Sequence, residues 1–142
     1  MNLGSAVDDV TTLVAAEALT REVVLTFDRN ADTLMIEADP VQVVQVLLNV
    51  VRNGIDAAAE FESPRWVRIS LGLDQQGAEN QAWVRVEDSG IGFSESDLKM
   101  AGFDMYTTKQ DGLGLGLSIS RQIAMLHHGR LDWRNGEAGA IV

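Results

Sequence analysis

The sequence contains no cysteine, and it has only 11 lysine and arginine residues against 21 aspartate and glutamate residues. Without cysteine there can be no disulfide and no thiolate metal site, and such usage is typical of a reducing compartment, so we expect a cytoplasmic location. A formal net charge of −10 argues against a nucleic-acid-binding face, which needs clustered basic residues. A bound phosphate group would therefore be contacted by a few residues at one site and not by an extended basic surface.

Long apolar runs are also missing. None approaches the ~20 residues that span a bilayer, and the N-terminus lacks the pattern of a signal peptide, so we expect no membrane contact by this segment. The 142 residues are 46% hydrophobic, which is enough for one domain with its own core. The sequence stops inside a strand-like run, so we expect residues 1–142 to be a fragment whose last strand is truncated.

Apolar periodicity, turn residues and helix breakers predict the order of secondary structure. The expected elements are a helix over residues 5–19, a hairpin of strands 23–27 and 34–36, a long helix from Asp39 and Pro40 to about 62, antiparallel strands 67–73 and 83–88, a short helix 95–101, a helix 117–127, and strands 130–133 and 140–142. This order predicts a two-layer α/β (α+β) sandwich, in which helices cover one face of a mixed, largely antiparallel sheet.

The long helix carries three oxygen-bearing side chains on one face. Asn49, Asn53 and Asp56 are spaced i, i+4 and i+7, beside the apolar stripe. Mg²⁺ prefers oxygen ligands and keeps several waters, so an amide oxygen from Asn53 together with nucleotide phosphates could complete a site. A solvated polar helix face is the competing interpretation.

A buried carboxylate is predicted at the end of the second antiparallel strand. Asp88 shares the face of Val84 and Val86, so it should point inward and need a donor, which the exocyclic amine of adenine could supply. Gly90 and Gly92 would let the backbone pass close to a flat ring. A structural turn would explain the same residues.

A glycine-rich segment follows, which we interpret as a mobile lid over residues 102–116. Glycines 112, 114 and 116 lead into a helix, whose N-terminal amides attract anions. Lys109, one of two lysines in the chain, is a candidate cation for a polyphosphate. A flexible linker with a solvated charge is the alternative.

Taken together and in order, four motifs between Asp39 and His128 resemble the GHKL ATPase superfamily (Bergerat fold), and specifically its sensor histidine kinase branch. Residues 45–57 resemble the N box, residues 88–93 the first glycine box, residues 103–109 the F box and residues 112–118 the second glycine box.

The resemblance implies a set of residues that bind ATP and Mg²⁺. Asp88 would read the adenine amine, Asn53 would hold Mg²⁺, and Asn49 and Lys109 would act at the phosphates. The remaining implied nucleotide contacts are Arg52, Asp56, Gly90, Ile91, Gly92, Phe103, Tyr106, Thr107, Thr108, Gly112, Leu113, Gly114, Leu115, Gly116, Leu117 and Ser118.

Three residues depart from the family pattern. Met105 replaces a usual proline, Gly54 a usual alanine and His128 a usual glycine. Because His127 and His128 follow the nucleotide helix and not an acceptor motif, we interpret them as residues of a helix C-terminus.

The resemblance implies transfer of the ATP γ-phosphate to a histidine on a separate helical dimerisation domain, within a homodimeric kinase, and onward to a response regulator. Asn49 is a poor base, which favours transfer over hydrolysis. The alternatives are a GHKL-type ATPase or serine kinase, and a nucleotide-sensing interaction module without transfer activity.

Overall fold

The computed structural model describes residues 1–29, 33–74, 80–99 and 113–142. In chain order these residues form α1 (Leu3–Thr20), β1 (Val24–Arg29), α2 (Pro40–Ala58), β2 (Trp66–Asp74), β3 (Gln81–Asp88), α3 (Glu95–Lys99), α4 (Leu113–Leu126), β4 (Arg134–Asn135) and β5 (Ala140–Ile141).

The two long helices begin at side-chain caps. The Asn2 side chain accepts from the backbone N–H of Gly4 at 2.9 Å, and the Asp39 carboxylate accepts from that of Val41 at 3.0 Å. Pro40 occupies the first turn of α2, where its missing N–H costs nothing. These caps place the start of α2 where the sequence predicts it.

The strands form one mixed sheet of order β1-β2-β3-β5-β4. β1 runs parallel to β2, and the β2–β3, β3–β5 and β4–β5 pairs are antiparallel. A parallel pair needs a crossover connection, which α2 supplies between β1 and β2. The predicted fold class is confirmed.

The predicted hairpin of residues 23–27 and 34–36 is wrong. β1 pairs with β2, while Met35 forms an isolated antiparallel bridge with Asn2. The backbone N–H of Leu3 donates to the carbonyl of Leu34 at 2.8 Å, so residues 34–36 pair with the N-terminus of the chain. Burial of Leu34 in the common core, at 6% exposure, favours this arrangement over a local turn.

The predicted strand over residues 130–133 is also absent. Leu131 and Trp133 are buried there, but strand pairing begins only at Arg134. Trp133 packs against the guanidinium of Arg121 at 4.2 Å and against Phe93, so side-chain packing and not a β-ladder holds this segment.

The core lies between the helices and one face of the sheet. Its fully buried side chains come from α1, α2, β2 and α4: Val7, Val10, Val14, Val51, Ile55, Val67, Ile69, Leu71 and Leu117. The opposite face carries Trp66 and Trp83 with the exposed Arg68 and Arg85 above their rings. Apolar and polar residues thus alternate along β2 and β3, as predicted.

Candidate functional site

Asp88 ends β3 on the core side of the sheet. It lies opposite Val67 of β2 and is 5% exposed. One carboxylate oxygen accepts from the backbone N–H of Gly90 at 2.8 Å and from that of Ala140 at 3.4 Å. Burial raises the pKa of the Asp88 carboxyl above its ordinary value, and the two backbone hydrogen bonds oppose that effect.

The loop after Asp88 lies against helix α2. A Cβ at Gly90 would lie 2.7 Å from the Cβ of Ala57 and 2.8 Å from its carbonyl oxygen, so a residue with a side chain does not fit there. Gly92 has φ 84°, a conformation that disfavours side chains. Ile91 between them is 76% exposed. The first glycine box is thus shaped by close packing and by a turn.

Ser89 fixes where this loop starts. Its hydroxyl accepts from the backbone N–H of Trp66 at 2.9 Å and donates to the carbonyl of Pro64 at 3.1 Å. Ser89 is not among the predicted site residues, although a serine after a strand is a common turn residue.

The end of the loop is held by Asn135, which belongs to none of the four sequence motifs. Its side-chain oxygen accepts from the backbone N–H of Phe93 at 2.7 Å, and its amide donates to the carbonyl of Phe93 at 3.0 Å. No local sequence pattern connects residues this far apart.

Two asparagines of α2 differ in their partners. The amide of Asn49 donates to the hydroxyl of Ser120 on α4 at 3.0 Å, and Ser120 is 2% exposed. The amide nitrogen of Asn53 is buried and has no hydrogen-bond partner within the described residues. A buried polar atom left in this way is costly in a folded protein and points to a ligand contact.

The helix face of α2 approaches Asp88 directly. A Cβ at Gly54 would lie 3.6 Å from the Cβ of Asp88 and 3.4 Å from a methyl of Val67. Gly54, the residue after the predicted metal-binding Asn53, therefore lies against the predicted adenine-reading carboxylate.

Arg52 and Asp56 of the same helix form ion pairs with α1. The Arg52 guanidinium lies 3.4 Å from the Glu17 carboxylate, and Asp56 pairs with Arg21. All four side chains are substantially exposed, so these pairs contribute little stability. Their assignment to nucleotide contacts stays a prediction.

The second glycine box differs from the predicted loop, because α4 already begins at Leu113. Gly114, Leu115 and Gly116 therefore lie in its first turns, where the backbone N–H groups have no partner within the helix. Leu117 and Ser118 are buried, at 1% and 4% exposure. Helix formation does satisfy the carbonyls of these residues, which an extended loop would leave to water. The helix N-terminus, whose amides attract anions, therefore lies at Leu113 and not at Leu117.

The rest of the predicted lid lies outside the described residues: Phe103, Tyr106, Thr107, Thr108, Lys109 and Gly112. The roles of these residues therefore stay predictions from the sequence. Met105 also lies outside the described residues.

His127 connects two helices. Its Nδ1 lies 2.8 Å from the carbonyl of Ile123, and its Nε2 accepts from the backbone N–H of Asp39 at 3.2 Å. His127 thereby joins the end of α4 to the start of α2.

His128 has φ 60° and occupies the position after the helix where glycine is favoured. The backbone N–H of Gly129 donates to the carbonyl of Ala124 at 2.8 Å, and that of His128 to Met125 at 3.0 Å, which is a Schellman motif. Both histidines therefore make contacts of a helix C-terminus, as predicted.

Within the parts of the chain that the structure describes, no group of three or more His, Cys, Asp or Glu side chains could hold a metal ion. The same residues contain no helix long and apolar enough to cross a membrane.

The family model described as "Histidine kinase-, DNA gyrase B-, and HSP90-like ATPase" matches residues 38–142. Among curated proteins, the chain is 32% identical over 137 residues to "Sensor protein FixL" of Bradyrhizobium diazoefficiens, which covers 96% of this chain and 26% of that protein. It is 34% identical over 145 residues to "C4-dicarboxylate transport sensor protein DctB" of Pseudomonas aeruginosa, covering 100% and 23%. The chain thus spans about a quarter of the length of these relatives.

Solved structures show the same fold. A nucleotide-free catalytic domain of histidine kinase ThkA matches with a TM-score of 0.82 and 27% identity, over 99% of this chain and 90% of that one. The structure of ThkA in complex with response regulator protein TrrA matches with a TM-score of 0.78 and 27% identity, over 99% and 39%.

Proposed function

Because this chain belongs to the family of histidine kinase-, DNA gyrase B- and HSP90-like ATPases, we propose that it binds ATP with Mg²⁺ and presents the γ-phosphate to a histidine on a separate helical dimerisation domain. The chain is the ATPase-type catalytic domain, and the curated relatives named above are sensor proteins. We expect a homodimeric, cytoplasmic kinase whose phosphoryl group passes to a response regulator, the class of partner named for ThkA.

The observation that carries the proposal is the buried Asp88 carboxylate. Its partners within the described residues are two backbone N–H groups on one oxygen, and no cation offsets its burial there. A carboxylate in such surroundings is costly unless a donor completes it. The exocyclic amine of adenine is a donor of the right kind.

A second observation supports a phosphate contact at Asn53, whose buried amide nitrogen has no acceptor within the described residues. A nucleotide phosphate oxygen would be such an acceptor, and the amide oxygen of the same side chain is a ligand of the type that Mg²⁺ prefers. When bound, Mg²⁺ would neutralise charge on the phosphates, which is the main requirement of phosphoryl transfer. The N-terminal amides of α4 would attract the same anion.

The side chain of Asn49 supports transfer over hydrolysis. An amide does not accept a proton near neutral pH, and its nitrogen already donates to Ser120. We therefore expect slow ATP turnover by the chain alone. Turnover at the rate of a dedicated ATPase that Asn49→Ala abolishes would favour the hydrolytic alternative.

The test is to mix the chain with γ-labelled ATP, Mg²⁺ and a helical hairpin domain that carries an acceptor histidine. Acid-labile, alkali-stable label on the hairpin supports histidine transfer. Acid-stable label on a serine indicates a serine kinase, rapid release of labelled phosphate indicates an ATPase, and binding without either indicates a sensing module. Asp88→Asn, tested in parallel, should reduce whichever of these activities depends on adenine recognition.

A further inference from the structure

The β4–β5 hairpin touches the first glycine box at both of its ends. At the far end, Asn135 of β4 brackets the backbone of Phe93 with two hydrogen bonds, of 2.7 Å from the Phe93 N–H and 3.0 Å to the Phe93 carbonyl. Two simultaneous contacts fix both the distance and the orientation of a peptide unit, which one contact does not.

Gly92 lies directly against the Asn135 side chain that makes these two hydrogen bonds. A Cβ at Gly92 would lie 2.6 Å from the Asn135 side-chain oxygen, and the residue has φ 84°. The turn and the position of Asn135 therefore depend on each other.

At the near end, the hairpin lies on Asp88 itself. A Cβ at Gly139 would lie 2.5 Å from the Asp88 carbonyl oxygen and 2.8 Å from the Gly90 nitrogen. The backbone N–H of Ala140 donates to the same Asp88 carboxylate oxygen that accepts from Gly90. One hairpin thus sets both the end of the loop and the direction of the carboxylate.

We propose that Asn135 is a positioning residue for adenine recognition: by holding residues 92 and 93 it closes the loop that keeps the Gly90 N–H on one oxygen of Asp88 and leaves the other oxygen for the adenine amine. This inference rests on the proposed function. Asn135 acts through the loop and through Asp88.

A purely structural role for Asn135 makes a different prediction. Phe93 also packs on Trp133 with ring centroids 6.1 Å apart. In a purely structural role, loss of the two Asn135 hydrogen bonds would only loosen the packing of Phe93 against Trp133. That effect would lower thermal stability and weaken all nucleotides equally. A positioning effect instead changes how well the site tells apart two nucleotides that differ only in the amine.

The experiment measures by calorimetry the affinity of the chain for ATP and for purine riboside triphosphate, which lacks the 6-amino group. The variants are Asn135→Ala and the isosteric Asn135→Asp, which keeps the acceptor but sets an oxygen against the Phe93 carbonyl. Arg134→Ala, an exposed neighbour on the same strand, is the matched control. Thermal unfolding is recorded for each.

We expect the unmodified chain to bind ATP more tightly than purine riboside triphosphate. This affinity ratio should fall about fivefold in both Asn135 variants, which corresponds to the free energy of one ordinary hydrogen bond. The ratio should stay unchanged in Arg134→Ala. If Asn135→Ala fails to fold, Asn135→Asp carries the same expectation. An unaltered ratio in a folded Asn135 variant, whatever its melting temperature, overturns the role of Asn135 alone. Failure of the unmodified chain to bind either nucleotide overturns the proposed function as well.

Discussion

Replacing Asp88 by asparagine separates adenine recognition from stability. The amide has the shape of the carboxylate but offers one acceptor and one donor. If its oxygen stays on the Gly90 N–H, its NH₂ group faces the adenine amine, and if it turns over, the NH₂ group faces the Gly90 N–H. In either orientation a donor meets a donor, so Asp88→Asn cannot satisfy both contacts.

The expected loss follows from burial. Asp88 is 5% exposed, so water cannot replace the missing contact, and an unsatisfied buried group costs about 1–3 kcal/mol. This corresponds to roughly a 5- to 150-fold weaker affinity for ATP and ADP. Nucleotides without the amine should lose much less.

Stability of the ligand-free chain should change in the opposite direction. Because burial raises the pKa of Asp88 in the folded chain above its ordinary value of 3.8, the folded state holds the proton more tightly than the unfolded state does. The group therefore opposes folding increasingly as pH rises from about 3.8 through the raised pKa. At neutral pH, Asp88→Asn should be at least as stable as the unmodified chain, and this advantage should disappear at acid pH.

The measurements are calorimetric titration with ADP and urea unfolding at pH 7 and at low pH. Glu87→Gln is the matched control, since it removes the neighbouring carboxylate on the opposite face of β3. Equal ADP affinity in Asp88→Asn and the unmodified chain would refute the assignment, and Asp88 would then be a turn residue only.

Three further substitutions test the packing around the site by urea unfolding. Gly90→Ala should destabilise the chain by about 1–3 kcal/mol, because its Cβ would overlap Ala57, and an unchanged midpoint would contradict that close approach. Gly54→Ala should stabilise the chain by about 0.5–1 kcal/mol, because alanine favours the helix and its Cβ would make only ordinary van der Waals contacts. A loss of stability would show that the added methyl group clashes with Val67 or Asp88. His128→Gly should add up to about 1 kcal/mol, since His128 has φ 60°, whereas a destabilised variant would indicate that the imidazole makes contacts outweighing the backbone strain.

Much of the fold could be predicted because its signals are local. The cap at Asp39 and the proline after it fix the start of α2, whereas its observed end at Ala58 comes before the predicted end at about residue 62. Alternation along β2 and β3 predicts both strands, their antiparallel pairing and the inward direction of Asp88. Four ordered motifs predict the family.

The errors concern pairing and helix starts. Residues 23–27 and 34–36 read as a hairpin because they are close in sequence, yet β1 pairs with β2 across α2. Leu113 to Gly116 read as loop because glycine disfavours helix in isolation, yet α4 includes them, and tertiary context outweighs such propensities.

The sequence by itself determined the helices, the central strands and the chemical types available to a nucleotide site, because caps, periodicity and motifs act over a few residues. The tertiary structure decided which of those residues meet. Asn135 reaches Phe93 across 42 residues, Ser120 reaches Asn49 across 71, and Gly139 lies on Asp88. Such contacts follow from how the elements bury a common core, and no local pattern encodes that outcome.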